Sequence, residues 1–137
     1  MIAICYSENN TYGAEVDLSG TSIDLRSVGC LILDLLQSER IEAIMHVVEI
    51  NPTPYARCLS ALLIRKNGGA VKVSVTDNVL EVIGDSERLT TFAAWFDFPD
   101  DSTVGYHVHH DPSVGETWVH PDSTPLVIRV ETGNQER

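Results

Sequence analysis

A chain of 137 residues suits one domain and is long enough to bury a core without metal or disulfide staples. Its 43% hydrophobic and 21% charged residues are those of a folded globular protein, which excludes wholesale disorder. A formal net charge of -11 opposes phosphate backbones and anionic membranes, so the expected partner is a basic protein, with no nucleic acid and no membrane.

Ile2, Ile4 and Tyr6 alternate with smaller residues and read as a first strand; residues 8–13 are turn formers, and residues 14–19 return as a hairpin. Thr21 or Ser22 caps a helix expected over 22–38, with Leu25, Val28, Leu31, Ile32, Leu35 and Leu36 on one buried stripe. Gly29 weakens that helix, and Cys30 lies within its apolar sequence as a core residue. Residues 41–50 read as a strand that Asn51 to Pro54 ends, and residues 58–66 as the next. Asn67, Gly68 and Gly69 turn the chain into a strand over 70–76, where Val71, Val73 and Val75 alternate with Lys72 and Ser74. Asp77 and Asn78 make a tight hairpin to 79–83. A second helix is expected over 86–96, with Leu89, Phe92, Ala93 and Phe96 inward. The loop 98–102, a histidine-rich strand, strands at 116–120 and 126–131, and a polar tail over 132–137 complete the chain.

Shifting the chain by 64 residues lays 15–66 over 79–130 without a gap, with nine identities in 52 positions. Among them are Gly20 with Gly84, Leu25 with Leu89, His46 with His110 and Arg65 with Arg129. The fold class expected is therefore α+β. Two ββαββ-like repeats, about 1–66 and 70–131, make a mostly antiparallel sheet with two helices on one face. In the ungapped alignment His107 and His109 meet Ala43 and Met45, so the same strand is apolar in one half and imidazole-bearing in the other.

Cys5, Cys30 and Cys58 are odd in number and lack metal-ligand spacing, which fits buried reduced thiols. The start of the chain lacks the basic and apolar regions of a signal peptide, so a cytoplasmic location is expected. There is no G-x-S-x-G, P-loop or dinucleotide fingerprint, and no cofactor is expected.

The stretch 105–122 holds four of the five histidines. Alternation puts Tyr106, Val108 and His110 on one side and His107, His109 and Asp111 on the other. His110 is expected to be a core or rim imidazole satisfied by backbone. The outward group, joined by Trp118, His120 and Asp122 and bordered by the acidic Asp100 and Asp101, fits a partner-binding surface. The alternative is a metal site of a small metal-dependent enzyme, with His107, His109, Asp111 and His120 as ligands; a plain polar strand face would show the same residues. The H-x-H and the later Glu116 resemble the first cupin motif, but the spacing of the Glu differs and no second motif follows. No catalytic residue is assigned, and the chain reads as a binding protein before an enzyme.

Residues 80–84 (LEVIG), 87–96 (ERLTTFAAWF), 107–111 (HVHHD) and 121–128 (PDSTPLVI) together resemble the immunity proteins of bacterial polymorphic toxin systems, the group catalogued as immunity protein family thirty-two. The resemblance covers the C-terminal half and implies a protein that neutralises a cognate toxin by binding it directly; separately, the chain is expected to be a monomer or homodimer.

Overall fold

The computed structural model describes residues 1–10, 13–111 and 118–132. Among them the chain folds as α+β with two helices and nine strands, in sheets that are mainly antiparallel. The strand expected at 116–120 and the polar tail fall partly outside the described residues.

Strands β1 (Ala3–Asn10) and β2 (Gly13–Gly20) form the first hairpin. Helix α1 (Ser22–Leu36) follows, and Thr21 caps it: the threonine hydroxyl accepts the Asp24 amide at 3.1 Å while the Asp24 carboxylate accepts the Thr21 amide at 3.3 Å. Leu25, Val28, Ile32 and Leu35 are buried, with Leu31 and Leu36 half-buried beside them. Helix α2 (Ser86–Ala94) is capped by Asp85, whose carboxylate accepts the Arg88 amide at 2.8 Å. The helices pack on each other, and Gly29 lies at their contact. A Cβ there would stand 3.2 Å from the Ala93 carbonyl oxygen and 3.5 Å from the Phe96 Cβ. The helix-weakening residue is thus what lets α2 approach.

The other strands are β3 (Glu42–His46), β4 (Arg57–Cys58), β5 (Ala61–Lys66), β6 (Lys72–Thr76), β7 (Val79–Gly84), β8 (His107–His110) and β9 (Leu126–Val130). They divide between two sheets, ordered β4-β1-β2-β9-β8 and β3-β5-β7-β6, called here the first and second sheet. One apolar cluster takes side chains from both sheets and both helices. The last strand of each sequence repeat is given to the other repeat's hairpin: β9 lies parallel to β2, and β5 parallel to β7. The 64-residue shift carries Val16 opposite Leu126 onto Leu80 opposite Leu62, so both parallel ladders keep one register. Even the ion pairs repeat. Arg129 meets Asp17 at 3.0 Å, and Arg65 meets Glu81 at 3.4 Å.

Two expected strands are shorter or broken for one reason: the chain changes sheets. Residues 58–66 split after Leu59, whose amide still bonds the Ile4 carbonyl of the first sheet at 2.8 Å, whereas Ala61 pairs with Val79 in the second. Residues 41–50 leave β5 after Val47, and the Val48 amide goes to the Ile2 carbonyl at 2.9 Å. Such crossings make the corners of two-sheet structures. The segment 118–124 does the same along β6, with the His120 amide on the Val71 carbonyl and the Thr124 amide on the Val73 carbonyl, both at 2.8 Å.

The ungapped alignment fails at one place. Glu42 pairs with Arg65, whereas Arg129, the counterpart of Arg65, pairs with His107. The structural counterparts of His107, His109 and His110 are therefore Glu42, Ile44 and Met45, not Ala43, Met45 and His46. The second repeat has one extra residue between helix and strand, which sequence identity at a single histidine concealed.

Candidate functional site

Among the described residues, strand β8 is the edge of the first sheet. The Val130 amide donates to the Tyr106 carbonyl at 2.9 Å, which marks Tyr106 as a ladder residue facing β9. Antiparallel ladders alternate, so the amides and carbonyls of His107 and His109 point away from β9, toward the side where no other described strand pairs with β8. Their side chains are exposed on the sheet face away from the core, with ring centroids 5.0 Å apart, and the His107 Nδ1 is 3.1 Å from the Gly105 carbonyl oxygen. Gly105 has φ 92, in the left-handed region that favours glycine, and sets the turn into the strand. Before it runs an exposed segment. Asp100, Asp101, Thr103, Val104 and Tyr106 are all exposed, Val104 by 54% and Tyr106 by 55%. Arg26 of α1 anchors this segment by bonding the Phe98 carbonyl and the Asp100 carboxylate. The rings of Phe98 and Tyr106 meet edge to face with centroids 6.0 Å apart.

On the opposite face of β8, His110 is fully buried among Phe92, Trp95 and Trp118, with ring centroids at 5.2, 6.0 and 5.0 Å. Among the described residues neither ring nitrogen has a hydrogen-bond partner, so the expected backbone satisfaction is not found there. Burial away from water lowers the imidazole to about 4, and the ring is neutral.

Trp118 corrects a second expectation. It does not join His107 and His109 outside; it is half-buried, packed on Trp95 at 5.6 Å and on His110. The chain crosses to the second sheet here, and Val119 bridges Val71, the residue just before β6. His120 follows along β6 with its Nδ1 accepting the Asp122 amide at 3.0 Å, and Asp122 is exposed. Asp111 is half-buried at the end of β8. His107, His109, Asp111 and His120 are not brought together: among the described residues no three His, Cys, Asp or Glu side chains are grouped to hold a metal ion.

The face of the first sheet that carries His107 and His109 also holds a polar network absent from the sequence reading. The Arg129 guanidinium donates to both Asp17 oxygens, at 3.0 and 3.2 Å, and also meets Glu131. The Tyr55 hydroxyl donates to Glu15 at 2.6 Å. Burial pushes that hydroxyl up, reinforced by the hydrogen bond to Glu15 and the nearby Asp17 charge. Tyr55 thereby covers Asp17, which is buried. The alternation of Glu15, Asp17 and Ser19 with Val16 and Leu18 is the signal that could have found this face.

Between the helices lies a cleft of about 420 Å³ lined by Cys30, Leu33, Ala93 and Phe96, with Arg26 and Asp97. Cys30 is exposed there, not core, because the groove between the helix backs leaves it open. Cys5 is buried and Cys58 half-buried, with sulfurs 4.0 Å apart. No helix is long and apolar enough to cross a membrane among the described residues. Neither a family model, nor a curated protein, nor a solved structure matches the chain.

Proposed function

We propose that this is a small acidic binding protein of the cytoplasm that captures a basic protein partner, and that the partner is a toxin it neutralises as an immunity protein. The observation that carries the proposal is the exposed segment from Asp100 to His107 ending on an open strand edge. It combines two acids, an exposed valine and tyrosine, and His107, with His109 two residues on and backbone groups that point away from β9. Interface cores are enriched in aromatics, exposed edges accept added strands, and acids complement a basic surface. Trp118 has no part in this surface, since its ring supports His110. The toxin assignment follows the resemblance of the C-terminal half to immunity proteins.

The experiment pairs recovery of a partner on the immobilised chain with co-expression. The recovered protein should be basic and toxic to the host, and the wild-type chain should restore growth. Tyr106→Ala should raise the dissociation rate roughly tenfold or more, as loss of a central aromatic does. Asp100→Asn with Asp101→Asn should lower the association rate. A bound partner whose kinetics neither variant alters would remove this surface from the proposal.

A further inference from the structure

Among the described residues the second sheet also ends on an unpaired strand, β3, and its chemistry differs from that of β8. The Lys66 amide donates to the Ile41 carbonyl at 2.7 Å and the Val47 amide to the Ser60 carbonyl at 3.2 Å, so the odd-numbered residues of β3 face β5. By the same alternation, the amides and carbonyls of Glu42, Ile44 and His46 face away from the sheet. All three side chains are exposed, Ile44 by 54%, and Ile41 just before the strand is 64% exposed. Edge strands are commonly guarded by lysine, proline or inward charges. None of these occurs within β3 (EAIMH).

The strand is complementary to itself. An antiparallel pairing centred on Ile44 sets Glu42 opposite His46 of a second copy, Ile44 opposite Ile44, and His46 opposite Glu42. The three residues whose backbone groups point outward are the three that this register bonds. Each carboxylate faces an imidazole, which donates an N–H whether or not it carries a charge. Ala43 and Met45 meet on the inner face, where Ala43 is buried and Met45 half-buried. β8 lacks this property, because its outward pair, His107 and His109, would face only imidazoles in a second copy.

We infer that β3 is the interface of a homodimer, in which two copies join antiparallel through Glu42, Ile44 and His46 into one sheet of eight strands. The surface lies on the other sheet from the proposed partner site, so neither proposal depends on the other.

The test is sedimentation equilibrium of the purified chain from about 1 to about 100 μM. The wild type should dimerise within that range. Glu42→Lys sets lysine against His46, and His46→Glu sets glutamate against Glu42; each change counts twice in a symmetric pair, so each variant should dissociate at about tenfold higher concentration. An equimolar mixture of the two restores both opposite pairs and should dimerise again, which a folding defect would not allow. Ile44→Lys places like charges at the centre and should be monomeric, with unfolding midpoint showing an intact fold. A wild type monomeric throughout the range, a dimer unaffected by Ile44→Lys, or a mixture that fails to recover would each overturn the inference.

Discussion

His110 is fully buried and no hydrogen bond pairs either ring nitrogen among the described residues, so its protonation bears directly on stability. Its ring meets three aromatic edges or faces, which tolerate a neutral imidazole far better than a cation without a counter-charge. The unfolded chain takes up the proton near the ordinary value of 6.5, the native chain only near 4. Between those values the unfolded state binds more protons, so stability falls as pH falls through this window and is fully present above it. The shift corresponds to a loss of about 2 kcal/mol between pH 7 and pH 5 from this residue. Denaturant unfolding at the two pH values should show it, and His110→Phe should remove that part of the difference. An equal pH dependence in both proteins would contradict the account. Cys5 offers a second check on burial. Its thiol is pushed up to about 12, chiefly by burial and then by Cys58, so it should resist alkylation until the chain unfolds. Exposed Cys30 should be modified first in the native protein, as peptide mass mapping would show.

At the scale of elements, the helix pair turns on Gly29. Replacing glycine by alanine inside a helix gains about 1 kcal/mol from backbone propensity. Here the new methyl would press the Ala93 carbonyl at 3.2 Å, so the gain is offset and Gly29→Ala should change stability by less than about 1 kcal/mol. Gly29→Val adds two further carbons at the same contact and should cost roughly 1–3 kcal/mol by overpacking. Thermal or urea unfolding of the two variants separates close approach from simple helix propensity. If valine were as stable as alanine, the helices would have room to part.

For the whole molecule the net charge of -11 acts on both proposed interactions, in opposite directions. A basic partner is drawn in by it, and screening with a Debye length of about 8 Å at physiological ionic strength slows that association. Two copies of the chain repel each other, so added salt should strengthen the β3 dimer while weakening partner capture. Measuring both equilibria from about 0.05 to about 0.5 M salt tests the pair of expectations. A partner interaction that strengthens with salt would point to an apolar contact in place of an acidic one.

Local pattern was enough for much of the fold. The Thr21 cap follows from its side-chain acceptor, and the stripe of Leu25, Val28, Ile32 and Leu35 and the alternation that turns His107 and His109 out and His110 in follow from backbone periods of 3.6 and 2. So does the α+β class, because a repeated hairpin, helix and strand must bury two sheet faces against two helix stripes. Tertiary structure alone decided the partners of those elements. Asp17 and Arg129 are 112 residues apart, and no local period announces that β9 will lie beside β2. Nor does one announce where 58–66 changes sheets, that Trp118 packs under His110, or that Cys30 opens onto a groove. The one-residue offset that puts His107 in the place of Glu42 belongs to the same class. Register is set by which rows of side chains fill the shared core, and a slip of one residue reverses every face. That choice depends on contacts among all the strands at once, which is why the chain's own periodicities leave it open.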